Sequence, residues 1–184
     1  MKNFLSVLLA FMTMYFISAV FAAENPLPNL FTSKAYHYSI RYPAAWKMRE
    51  RDDGVVVFAA QDAKLKKIFT INIQTIYTKQ GGGKYKSIKD LMDDFGTQVP
   101  MHTEDAKFLD RNSFALSEPD GSTLSGEQTT LTFKENGQTY KQWQVMLINH
   151  DGNLFQAWAY RAPITVFDAN RQLAASMLAS WVID

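Results

Sequence analysis

The chain has no cysteine in its 184 residues. That removes disulfides, thiolate metal sites and thiol nucleophiles together, and it removes the residue that a bacterial lipoprotein needs to accept its lipid. Histidine is nearly as scarce: His37, His102 and His150 are all there are. None stands at the i,i+2 or i,i+4 spacing that brings paired ligands to one metal. Beyond residue 22 neither G-x-S-x-G nor S-x-x-K occurs, so no local motif supplies a serine nucleophile with its base. Gly81-Gly82-Gly83-Lys84 lacks the phosphate-loop spacing, and its lysine is followed by Tyr85 rather than by a serine or threonine. Excess charge of either sign is missing too. Without residues 1–22, which contain Lys2 and no acid, 18 basic and 18 acidic residues remain. That balance argues against nucleic acid or an anionic membrane as the main partner.

One apolar run is present, and it lies at the start. Phe4 to Phe21 carries no charge over 18 residues, preceded by Lys2 and followed by Ala22, Ala23 and Glu24. A basic start, an apolar stretch and a small-residue exit form a secretory signal peptide, with cleavage expected after Ala22. Its length also meets the lower bound of a membrane span, so an uncleaved anchor is the alternative. Lys2 holds the N-terminus in the cytoplasm either way, which places the bulk of the chain across the membrane, periplasmic or secreted. No integral membrane segment is expected after cleavage.

The remaining 162 residues are enough for one domain with a real core. Residues 23–34, with Pro26 and Pro28, read as an extended leader with little structure. From residue 35 onward strands dominate. Tyr36, Tyr38, Ile40 and Tyr42 alternate up to Pro43 with His37, Ser39 and Arg41, which form the polar face of this strand. A hairpin follows through Arg51-Asp52-Asp53-Gly54, and then a strand from Ile68 to Tyr77. The three glycines at 81–83 read as a flexible connector. Ser87 opens a helix whose apolar stripe is Ile88, Leu91, Met92, Phe95 and Val99, with Asp90 as its capping-box partner. Strands over 106–116, 124–134 and 139–149 come next, the last two joined at Asn136-Gly137, a pair suited to a primed turn. After a strand over 154–161, Thr165 and Asp168 fit the capping box of a second helix. Its buried stripe is Val166, Phe167, Leu173, Met177, Leu178 and Trp181. The class is α+β, an antiparallel sheet with helices laid against it.

The corner Tyr38-Ser39-Ile40-Arg41-Tyr42-Pro43-Ala44-Ala45-Trp46, a strand running through proline into tryptophan, resembles the PsbP-like superfamily, which includes DcrB-type proteins of the bacterial envelope. The order of elements after the corner, and the close at Ser180-Trp181-Val182-Ile183, strengthen the likeness over nearly all of residues 35–184. The resemblance implies an α-β-α sandwich serving as a binding or accessory module, generally without catalysis. Photosynthetic function does not follow, because the leader lacks the Arg and Ser richness of a transit peptide. Fold alone does not assign function.

No catalytic, cofactor or metal site is expected. His102, Glu104 and Asp105 form the best local ligand cluster, in a loop after the first helix, where solvated polar residues are ordinary. Asp93 and Asp94 are adjacent on a helix and diverge by about 100°, so they make no acid/base pair. Ser125 lies within a strand with no elbow to expose it. Two features suggest a recognition surface: the basic segment with Lys79, Lys84 and Lys86, which the acidic Asp90, Asp93 and Asp94 can also compensate, and the aromatic strands carrying Trp143 and Trp158, if one face is uncovered. The expected role is an exported non-enzymatic protein acting on an unknown envelope or extracellular protein or a small ligand. The alternatives are a factor acting outside the cell, and a small hydrolase or metal-dependent enzyme with a site assembled from distant residues.

Overall fold

A computed structural model describes residues 26–183. The expected signal peptide and the start of the leader lie outside the described residues. Ten strands and two helices occur among those that are described. Seven strands form one antiparallel sheet in the order β3-β4-β5-β9-β8-β7-β6: β3 is Lys47–Glu50, β4 Val56–Gln61, β5 Ile68–Tyr77, β6 Glu104–Ser117, β7 Thr123–Glu135, β8 Gln138–Ile148 and β9 Leu154–Pro163. A second sheet joins β1 (Asn29–Ser33), β2 (Tyr38–Tyr42) and β10 (Val182–Ile183), with β2 in the centre. The α+β class holds.

The period-two alternation decides what each face of the large sheet buries. On one face Trp143, Val145 and Leu147 of β8 stand opposite Tyr160, Trp158 and Gln156 of β9. Helix α2 (Ile164–Ala179) joins that core through Val166, Phe167, Ala174, Met177 and Leu178. The small sheet adds Tyr38, Ile40 and Ile183 to the same cluster. Helix α1 (Ile88–His102) uses the other face, where Leu91 and Met92 pack on Met146, Phe155 and Ala157. Those three alternate with the first set along their strands, so the two helices meet opposite faces.

Local chemistry accounts for most element boundaries. Ser87 accepts from Asp90 N–H at 3.1 Å and caps α1, while the Asp90 carboxylate takes the Lys86 N–H at 3.3 Å. Asn136 and Gly137 both have positive φ, at 51° and 74°, as a type I′ turn between Glu135 and Gln138 requires.

Five expectations change. The leader is a paired strand over residues 29–33, registered from Asn29 opposite Tyr42 to Ser33 opposite Tyr38. His37 sits in the turn ahead of β2, with φ 52°, rather than on a strand face. Helix α1 runs through Pro100 to His102, so His102 ends a helix and is not in a loop. Proline is tolerated there because only one bond of the last turn, to the Gly96 carbonyl, is lost. Helix α2 starts at Ile164 directly from Pro163, without a side-chain cap. Thr165 is therefore inside the helix, and Asp168 reaches Lys141 at 3.3 Å instead of closing a capping box. The glycine run, finally, is a packed loop. A Cβ on Gly81 would meet the Asn153 carbonyl oxygen at 2.4 Å, and one on Gly83 the Tyr77 carbonyl oxygen at 1.9 Å. Only glycine permits those backbone approaches.

Candidate functional site

Helix α1 lies mainly over β6, β7 and β8 and reaches Phe155 and Ala157 of β9, beyond which the β4–β5 side of this face is open. On that open side a cleft of about 380 Å³ lies between Phe95 of α1 and the β3–β4 turn, which contributes Arg51 and Asp53. The register builds its floor. Asn72 of β5 stands opposite Ala159 of β9 and Gln74 opposite Ala157, while Gln144 and Gln142 of β8 stand opposite Ala159 and Arg161 from the other side. Two alanines thus form a shallow trough flanked by four side-chain amides.

The polar groups of the cleft fall into two sets. One set is internally paired. Arg51 bonds Asp53 at 2.8 Å. The Arg161 guanidinium bonds Glu135 and lies over the rings of Tyr140 (4.2 Å) and Phe133 (5.0 Å). Gln144, nearly buried, donates to the Trp158 carbonyl at 3.0 Å and accepts from Gln142 Nε2 at 3.0 Å. The other set is available: among the described residues the amides of Asn72 and Gln74 and the Oε1 of Gln142 have no hydrogen-bond partner. No serine, threonine, histidine or lysine lines this cleft.

The basic segment lies elsewhere, at the N-terminal end of α1. Lys84 pairs with Asp94 at 3.3 Å, and the Tyr85 hydroxyl donates to the other oxygen of Asp94 at 2.5 Å. The hydrogen bond from Tyr85 is the main cause that lowers the Asp94 carboxyl below its usual range, and the bond to Asp94 raises Lys84. Asp93 is shared by Lys89 (2.6 Å) and Arg111 of β6 (2.5 Å), and both hydrogen bonds lower its pKa, Lys89 foremost. Lys79 and Lys86 remain exposed at the rim. Within the segment Lys84 alone is compensated by the helix it precedes, among the described residues.

Trp143 and Trp158 do not form an exposed aromatic surface together. Trp158 is fully buried and Trp143 nearly so, packed edge to face with centroids 5.2 Å apart. They face α2, which puts Trp158 out of reach, while Trp143 lines a recess of about 310 Å³ beside Phe114 of β6 and Leu178 of α2. His102, Glu104 and Asp105 do not converge. Asp105 pairs with Lys134 at 2.5 Å, and no group of three or more metal-ligating side chains comes together among the described residues. Ser125 stays on a regular strand, opposite Ala115. One trio does have the residue types of a hydrolase. Ser122 Oγ and His150 Nε2 both bond Glu118 Oε2, at 3.0 and 2.6 Å, while Glu118 Oε1 accepts from Ile183 N–H at 2.8 Å. Serine and histidine both address the carboxylate, so the imidazole does not stand between hydroxyl and carboxylate as in a triad. The trio instead fastens β10 to the end of β6.

No family model matches the sequence, and none of the curated proteins does. Solved structures do match. A protein of unknown function from Pseudomonas aeruginosa superposes with a TM-score of 0.59 at 10% identity, covering 85% of this chain and 96% of its own. Cyanobacterial PsbP from Synechocystis gives 0.52 at 16% identity, over 91% of this chain and 99% of its own. The fold is PsbP-like. LpqN, described as involved in cell envelope biogenesis of Mycobacterium tuberculosis, has the same architecture at 0.57 and 12% identity, over 88% of this chain and 87% of its own. At such identities the likeness speaks for the PsbP-like fold alone, as the Tyr38-to-Trp46 corner implied, and the chemistry must come from the residues of this chain.

The cleft amides were not singled out by sequence reasoning. Their signal was present: Asn72 and Gln74, and Gln142 and Gln144, occupy alternate positions of two strands where charged residues are more usual on a solvated face. Only the register, which inserts β9 with Ala157 and Ala159 between them, makes that pattern a site.

Proposed function

We propose that this PsbP-like chain is an exported, non-enzymatic accessory or binding protein of the bacterial envelope, and that it binds through the open half of the α1 face. The observation that carries this reading is the concave cleft with unpartnered amides, whose one lining carboxylate, Asp53, is engaged by Arg51 and by the Val55 N–H. Such a site can recognise, and it brings no nucleophile and base together. Export is supported by the charge-free run from Phe4 to Phe21 and its small-residue exit. The envelope setting is supported by the LpqN likeness. Residues 35–184 form a single domain in this reading, an α-β-α sandwich in which α1 and α2 sit on opposite faces of the large sheet and α1 covers only half of its own.

Site-specific photo-crosslinking tests the proposal. A crosslinker at Gln74, on the cleft floor, is expected to give an adduct in the periplasmic or envelope fraction. One at Lys64, in the β4–β5 turn, is expected to give none. Recovery of the protein in the cytoplasm, or equal adducts at both positions, would contradict it.

A further inference from the structure

We infer that the cleft takes a neutral, hydroxyl-rich ligand, a saccharide. This rests on the reading of the cleft as the binding site and adds the class of ligand. Three properties of the lining lead to it. First, the charges are already matched: Arg51 with Asp53, and Arg161 with Glu135 while held over two rings. The lining therefore carries no unmatched charge to select an ion.

Second, the groups left open are amides and an amide oxygen: Asn72, Gln74 and Gln142 Oε1. Each free amide offers donors and an acceptor side by side. A hydroxyl does the same, so neighbouring hydroxyls on a ring can satisfy both halves of one side chain. An apolar ligand would bury these amides without partners, which is unfavourable. Third, the Ala157–Ala159 trough gives a flat-floored recess between polar walls, and Phe95 closes the α1 side with an aromatic ring. Sugar rings are amphipathic in this sense, with C–H faces that rest on apolar surface while the hydroxyl rim reaches polar groups. The volume, about 380 Å³, is at the small-molecule end of ligand sites. An extended peptide would need a longer groove or a free sheet edge, whereas this recess is closed by α1 at one side and by the β3–β4 turn at the other.

The experiment is a neutral and acidic glycan array, followed by NMR titration of the side-chain amides with maltotriose, cellotriose and chitotriose. The expected result is retention on neutral glycans. At least one trisaccharide should shift the Asn72, Gln74 and Gln142 side-chain amides. Gln74→Ala and Asn72→Ala should each weaken binding roughly tenfold or more without lowering the melting temperature. Gln74 is exposed, so its alanine variant tests the contact without risk to the fold. Retention on no neutral glycan, preference for acidic glycans, or binding that both variants leave intact would overturn the inference. In the first two cases a persisting crosslink at Gln74 would leave the site reading standing, and its loss would remove both.

Discussion

Tyr38 and Tyr160 are buried in the same core and differ by one hydrogen bond. The Tyr160 hydroxyl donates to the Phe167 carbonyl at 2.9 Å and ties β9 to α2. The Tyr38 hydroxyl has no partner among the described residues. Burial pushes both hydroxyls far above the ordinary tyrosine range, so each stays protonated and neutral. The consequence is an asymmetry. Tyr160→Phe should lower stability by about 1 kcal/mol, because it removes this hydrogen bond, whereas Tyr38→Phe should be neutral or stabilising. Chemical denaturation of the two variants checks it, and equal losses would show that the hydroxyl of Tyr38 has a partner. Glycine supplies a second contrast. Gly83→Ala should destabilise strongly, because its Cβ would fall 1.9 Å from backbone oxygen, while Gly96→Ala meets nothing within 4 Å. On helix propensity alone Gly96→Ala should gain about 1 kcal/mol. Melting temperatures moving the same way in both would contradict the packed-loop account.

The way α1 is held sets how much of the sheet stays open. Its apolar contacts are few: Leu91 and Met92 are buried, with Ile88 and Phe95 half-buried. Polar ties complete the attachment, above all Asp93, which Arg111 of β6 and Lys89 share. The folded protein depresses the Asp93 pKa, so its contribution is fully present above the unfolded value, about 3.9, and is lost as pH falls through the lower folded one. Hydrogen exchange should therefore show α1 loosening ahead of β8 and β9 on acidification through that window, and Asp93→Asn should display the loosened helix already at neutral pH. Unchanged α1 protection in the variant would mean that the apolar contacts alone hold it. At this scale the sequence was legible wherever one local rule sufficed. Ser87 capped α1, Asn136-Gly137 made the hairpin, and Tyr38 and Ile40 turned inward by alternation. It was not legible where a partner distant in the chain decides. Val182 and Ile183 are a strand only because Ser39 and Tyr38 lie alongside. Pro163 enters α2 without a cap because it still pairs with Tyr140 in the sheet.

The whole molecule is an asymmetric arrangement around one sheet. The α2 face is packed with a helix, a small sheet and four tryptophans, Trp46, Trp143, Trp158 and Trp181. The α1 face is closed on one half and presents amides on the other. Composition could foresee the first, since aromatic and β-branched residues at period two announce a core. It could not separate the amide positions from an ordinary wet face, because that needs β5, β8 and β9 in register across more than eighty residues of chain. The two surfaces the sequence suggested differ from this one for physical reasons: Trp158 is covered and Trp143 nearly so, and Lys84 is paired with the helix beside it while Lys79 and Lys86 stay exposed. The central claim is that the open half-face is where the protein binds. The most direct test fills it: Ala159→Trp projects an indole from the cleft floor while leaving the α2 core untouched. The account predicts that crosslinking from Gln74 in the envelope fraction falls to background while the melting temperature is retained. An undiminished crosslink from a folded Ala159→Trp protein would contradict it.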